Sequence, residues 1–341
     1  MKEKVLFSGY TKREAKGVYS AMFDNETGMF SDLELVCTVD NPTYLDLDKN
    51  GHLYTVAADE NGGGIAGFNF DGSKGEVINY VTSEGAPLCY IAVDEARDLV
   101  YGPNYHLGQI RVYKRAKDGS LTLADQVTHE GSGPHPNQTI PHVHYSNLTP
   151  DNRLVACDLG TDGVYTYDVS DEGKLTLVDT YFATPGAGSR HLTFHPNGKI
   201  AYLMAELNST VEVLSYDAAT GKFALIETIT TLPDTHEGFN GTAAIRLSKD
   251  AKHLYASNRG HDSLVVYNVS VDGTHLEISE WVSVEGKTPR DFNFSKDEKF
   301  VIVANQDSDN VTTFKRDEEN GKLTLVQKDF YVPEATCVYP L

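Results

Sequence analysis

Residues 289–325 read PRDFNFSKDEKFVIVANQDSDNVTTFKRDEENGKLTL. Pro289-Arg290-Asp291-Phe292 starts an alternating run, a polar turn follows, and Val301-Ile302-Val303-Ala304-Asn305 is an apolar strand ending on an amide. A second alternating strand leads to the closing segment Gly321-Lys322-Leu323-Thr324-Leu325. Two-residue alternation marks half-buried strands, and Asp, Asn and Gly clusters between them mark hairpins.

The same unit recurs upstream. Pro42-Thr43-Tyr44-Leu45 leads to Asn50-Gly51-His52-Leu53-Tyr54, and Pro87-Leu88-Cys89-Tyr90 leads to Leu99-Val100-Tyr101. Pro141-His142-Val143-His144 leads to Leu154-Val155-Ala156-Cys157-Asp158, and Ser189-Arg190-His191-Leu192 leads to Ala201-Tyr202-Leu203. Ala243-Ala244-Ile245 leads to Leu254-Tyr255-Ala256-Ser257-Asn258. Copies starting at 42, 87, 141, 189, 243 and 289 are spaced by 45, 54, 48, 54 and 46 residues. A β-sandwich does not explain four strands per such period; a propeller does. A partial copy starts near Glu334, and the N-terminal strands around Val5 and Val18 lack a first strand. The two remnants complement each other. The expected fold is all-β: a seven-bladed β-propeller spanning residues 1–341 as one domain, its last blade closed by N- and C-terminal strands.

Bulk properties agree. At 341 residues the chain exceeds the ~250–300 at which one compact core stops growing, so a stacked repeat is natural. The formal net charge of −20 disfavours nucleic acid and anionic membranes as partners. The four cysteines (37, 89, 157 and 337) form no CxxC motif and read as small buried hydrophobes. The N-terminus holds a three-residue apolar run, too short for a signal-peptide core, and no stretch approaches the ~18 apolar residues of a membrane helix. The expectation is a cytoplasmic monomer or weak homo-oligomer. There is no GxSxG, P-loop or HExxH motif.

A repeat is its own control, so residues that break its pattern in polarity are candidates for function. One register, just after the opening proline, reads Thr43, Leu88, His142, Arg190, Ala244, Arg290 and Ala335. A second, after the next strand, reads Asn104-Tyr105, Asp158, Glu206, Asn258-Arg259 and Asn305-Gln306. Loops entering one strand and leaving its antiparallel neighbour meet at one end, which gathers His142, His144, Arg190, His191, Glu206, Arg259 and Arg290 at one mouth of the channel. Arginines collected on an acidic protein point to an anionic ligand, since a guanidinium grips phosphate or carboxylate with two donors. His142 and His144 lie two apart on a strand and so share a face. Such pairs can bind zinc, but no third ligand stands at short spacing, and no metal or other cofactor is expected. His52, His195 and His253 read as structural residues of hairpin turns.

Pro141-His142-Val143-His144, Asp158-Leu159-Gly160-Thr161-Asp162, Gly186 to Pro196, Ser257-Asn258-Arg259-Gly260 and Pro289-Arg290-Asp291-Phe292 resemble the bacterial propeller-type 6-phosphogluconolactonase family, which includes fungal carboxymuconate cyclases. Ser189 departs from the family's usual proline and Ala244 from its usual glutamate. The resemblance implies a lactonase of the pentose phosphate pathway acting on a small phosphorylated sugar lactone. Its site positions match His142, Arg190, Glu206 and Arg259 or Arg290; joined to the reading of the two registers, this gives His142, His144, Arg190 and Glu206 as expected catalytic residues, with His191, Arg259, Arg290 and Asp158 as expected substrate contacts. In that reading His142 or His144 is the general base, Glu206 orients it or competes with it, and Arg190 stabilises the oxyanion. A cycloisomerase acting on a carboxymuconate-type dicarboxylate, a metal-dependent lactonase and a non-enzymatic interaction platform are the alternatives.

Overall fold

A computed structural model describes residues 2–341. Among these, 28 strands form seven four-stranded antiparallel sheets, with no helix. The inner strands are Leu45–Leu47, Ala92–Asp94, Val143–Leu148, Ser189–Phe194, Gly241–Leu247, Pro289–Phe294 and Ala335–Pro340, which open blades one to seven in that order. Blade seven joins the chain ends. Ala335–Pro340 pairs with Lys2–Gly9, matching Leu6 to Tyr339 and Phe7 to Val338. Gly17–Asp24 and Met29–Thr38 complete that sheet, so no blade is left short of a strand.

Burial follows position in the blade. The second strands Leu99–Asn104, Ile200–Ala205 and Phe300–Asn305 are buried throughout, because both faces pack on neighbouring blades. Outer strands such as Leu121–Thr128 expose alternate residues. Aromatic residues fill the seams: Phe23 of blade seven meets Phe300 of blade six edge-on at 5.5 Å.

The turn histidines explain the recurrent glycine of the closing segment. A Cβ on Gly119, Gly273 or Gly321 would stand 2.5, 2.9 or 2.5 Å from the ring of His52, His195 or His253. These glycines also have φ near +80°, where other residues are strained. Tyr54, Tyr202 and Tyr255 donate to the same three carbonyls at 3.1, 2.9 and 2.7 Å. One His–Tyr–Gly latch thus fastens three pairs of blades.

The inner strands of blades three to seven carry β-bulges, which correct the first register. Pairing jumps from Val143–Asp158 to Tyr145–Cys157, from Ser189–Ala205 to His191–Met204, and from Pro289–Asn305 to Asp291–Ala304. The extra residues are His144, Arg190 and Arg290; in blade seven the extra residue is Thr336. The counterpart of Arg190 is therefore His144 rather than His142, and that of blade seven is Thr336 rather than Ala335. Proline does not mark a constant position, because Pro141 precedes its bulge by three residues and Pro289 by one.

Candidate active site

At one end of the channel lies a cavity of about 440 Å³. Its wall takes Thr43 from the segment entering blade one, Cys89 and Tyr105 from blade two, and His144 from blade three. Glu206, Arg259 and Arg290 come from blades four, five and six, while Tyr10 and Lys12 come from the first hairpin loop of blade seven. Beneath it the channel narrows to about 10 Å³ between the bulge residues His144, Arg190, Arg290 and Thr336. A second chamber of about 320 Å³ opens beyond, lined by Tyr44, Tyr90, Tyr145, His191, Arg246 and Asp291.

Glu206 is the hub. It follows strand Ile200–Ala205, and its N–H donates to Gly188 O at 2.8 Å. Its Oε2 lies 2.7 Å from Arg190 Nε and 2.9 Å from Arg259 Nη2. The Arg190 N–H is not aimed along its contact, so that pairing is ionic rather than hydrogen-bonded. Arg190 is 1% exposed and donates Nη1 to Ala243 O at 2.5 Å. Arg259 donates to Gly241 O and Thr242 O at 3.1 and 2.8 Å. Burial raises the carboxyl pKa of Glu206, but Arg259, Arg190 and Arg290 outweigh it and hold the value below the ordinary range. Glu206 is ionised and a weak base. Burial and the neighbouring Arg259 push the Arg190 guanidinium down, opposed by Glu206.

The loop before Arg190 is fixed by a buried acid. Asp162 accepts from Gly186 N and Gly188 N at 2.7 and 2.6 Å, and from Gln138 Nε2 at 2.6 Å. Gly188 has φ of 74°, and a Cβ there would strike Leu207 at 2.5 Å. The glycines of this segment are thus a backbone requirement for aiming Arg190.

His144 is 5% exposed, and its Nδ1 is buried without a hydrogen-bond partner. Burial, then repulsion from Arg190, His191 and Arg290, drives its pKa well below 6.5, so the ring is neutral at pH 7. Tyr105 meets it edge-on at 5.8 Å. Cys89 also faces the cavity; burial pushes its thiol up to about 12, which keeps it protonated.

Four sequence-based expectations need correction. His142 and His144 do not share a face, because the bulge breaks the alternation. His142 stacks on Tyr105 at 4.3 Å, bonds Tyr105 O through Nδ1 at 2.9 Å and does not line the cavity. Asp158 does not line the cavity: fully buried, it is occupied by His129 Nδ1 at 2.8 Å and by the N–H groups of His142 and Gly160 at 2.7 and 2.9 Å. His191 lines the second chamber, under the Arg190 layer, packed 5.1 Å from His144. Arg190 lies beneath the cavity rather than in its wall, and so stands behind Glu206.

Tyr10 and Lys12 escaped sequence reasoning. Their loop occupies in blade seven the place that Tyr105, Glu206 and Arg259 occupy in theirs; extending the second register across the split blade would have found it. Arg290 Cζ and Lys12 Nζ stand 5.4 and 4.1 Å from the centre of the Tyr10 ring. Lys12, Arg259 and Arg290 line the cavity, where Glu206 is the one carboxylate among the described lining residues; Arg190 and Asp291 line the narrow part below. Among the described residues no group of three His, Cys, Asp or Glu side chains is arranged to hold a metal ion.

A sequence model of the seven-bladed β-propeller lactonases matches residues 4–340. An uncharacterised protein of Lactococcus lactis subsp. cremoris is 62% identical over the full length of both chains. The 6-phosphogluconolactonase of Bacillus subtilis is 38% identical, covering 96% of this chain and 95% of its own. The solved periplasmic gluconolactonase of Pseudomonas aeruginosa superposes with a TM-score of 0.94 at 29% identity, covering 100% of this chain and 99% of its own.

Proposed function

The chain belongs to the seven-bladed β-propeller lactonase family, and from that premise we propose that it hydrolyses 6-phospho-D-glucono-1,5-lactone to 6-phosphogluconate. The observation that carries this reading is the charge of the cavity: cations outnumber carboxylates there on a molecule whose net charge is −20. Like charges gathered in one wall repel, and an anionic ligand relieves the repulsion. The Bacillus subtilis relative supports the phosphorylated substrate.

A lactone is an activated ester, so water with a general base suffices. His144 takes this role, since it is neutral and lines the cavity while Glu206 is held as a carboxylate between arginines. Water adds to C1 as the imidazole accepts its proton, and the carbonyl electrons move onto oxygen. Arg259 lines the cavity and stabilises that oxyanion; Arg190 acts from behind through Glu206. The C1–O5 bond then breaks, the electrons return to form the carboxylic acid, and the imidazolium passes its proton to O5. The acid ionises in water. Arg290 holds the phosphate.

The test is hydrolysis of the lactone with and without its 6-phosphate, corrected for spontaneous opening. Preference for the phosphorylated lactone is expected. Equal turnover would leave a lactonase of unphosphorylated sugars, and no turnover would favour dicarboxylate cyclisation or a binding role.

A further inference from the structure

The loop of residues 10–16 is clasped by one side chain from the far end of the sequence. Glu334 is 2% exposed, and its carboxylate accepts from the N–H groups of Lys12, Arg13, Glu14 and Ala15 at 3.0, 2.8, 3.1 and 3.2 Å. Four converging N–H groups satisfy this carboxylate, so its oxygens are committed to the loop backbone rather than to a cationic side chain. Asp309 is likewise engaged, by Arg13 Nη2 at 2.6 Å and by Glu334 N at 2.8 Å. Among the described residues Lys12 Nζ meets a ring, Tyr10, and the Arg290 guanidinium donates to the neutral Gln306 Oε1 at 3.3 Å and lies over the same ring. Arg259, by contrast, pairs with the Glu206 carboxylate.

We infer that Lys12 and Arg290, on either side of the boundary between blades six and seven and joined by Tyr10, form an anion subsite for a phosphate monoester, and that Glu334 is the positioning residue that presents Lys12. This rests on the lactonase reading for the identity of the sugar, and it adds a residue and a loop. Two cations without a hydrogen-bonded carboxylate partner, and of different shape, suit a dianion: the guanidinium offers a fork, and the ammonium a mobile point charge. A carboxylate, with one charge, gains less from the pair.

The experiment is calorimetric titration with the stable product 6-phosphogluconate and with gluconate, using the full chain and its Lys12→Met, Lys12→Arg and Glu334→Gln variants. The native protein should prefer 6-phosphogluconate, and Lys12→Met should narrow that preference roughly tenfold, with Lys12→Arg restoring most of it. Glu334→Gln should narrow it while Lys12 is still present. Lys12 is exposed, so its replacement does not threaten folding. A native preference that Lys12→Met leaves unchanged would overturn the subsite while sparing the proposed substrate. Equal affinity of the native protein for both ligands would overturn both.

Discussion

Glu206 Oε2 stands 2.9 Å from Arg259 Nη2, and that same oxygen also meets Arg190. A single atom thus holds two cations that would otherwise repel. Replacing Glu206 with Gln keeps the shape and removes the charge. We expect kcat/KM to fall by about 10²-fold, in the range seen when a preorganised transition-state group is lost. The hub is partly open to the cavity, so water screens it, and the stability loss should be roughly 1–3 kcal/mol. Steady-state kinetics and urea unfolding measure the two; unchanged values in both would remove Glu206 from the site.

Arg290→Ala separates phosphate recognition from chemistry. KM for the phosphorylated lactone should rise on the order of tenfold or more, and KM for gluconolactone far less. Equal increases for both substrates would contradict the phosphate role.

The pH profile reports on the base. A neutral imidazole is required, and the pKa of His144 lies below 6.5 because burial and neighbouring arginines oppose its charge. The acid limb of kcat/KM should therefore fall below pH 6.5, leaving the rate flat across neutrality. His144→Gln should lose about 10²-fold or more in kcat. A limb centred at pH 6.5 or above would point to another base.

Stability should share that dependence. His144 and His191 both titrate well below 6.5 when folded, from burial first and the arginines next. Unfolded, each binds a proton near ~6.5. Between those values the unfolded chain holds more protons, so this stabilisation is complete above pH 6.5 and drains away below it. Tm should drop between pH 7.5 and 5.5, and less steeply in His144→Gln. A flat Tm in the native protein would mean the rings are not protected from protonation.

Asp158→Asn should act on folding, not binding. It leaves His129 and two N–H groups without their acceptor charge. A loss of roughly 2–4 kcal/mol in urea unfolding is expected, with KM nearly unchanged. The reverse pattern would restore Asp158 as a substrate contact.

What could be read in advance followed from periodicity. Seven sheets, their order and the joined termini were legible because the alternation survives in every copy. The site was legible in part, since polarity breaks the repeat at Arg190, Glu206, Arg259 and Arg290. The errors have separate physical sources. A bulge adds one residue, which turns the following side chain to the opposite face. Aligned on the bulge rather than on the proline, the channel position of blade three is His144 and not His142. The bulge carries no signature of its own, because proline sits at different offsets in different blades. Asp158 shares a loop position with Glu206, but three donors turn it inward. Lys12 was overlooked because its blade is divided between the two ends of the sequence.

The clasp on residues 12–15 ties readiness to assembly. Glu334 immediately precedes the strand that zips onto residues 5–9. Lys12 therefore gains its bearing only when segments more than 300 residues apart have met. A chain with six blades stacked and the seventh ajar would carry Arg259, Glu206 and Arg290 yet only half of the phosphate subsite. In refolding, such long-range pairing is slow, and full affinity for 6-phosphogluconate should arrive with the last kinetic phase, after most of the β-structure has formed.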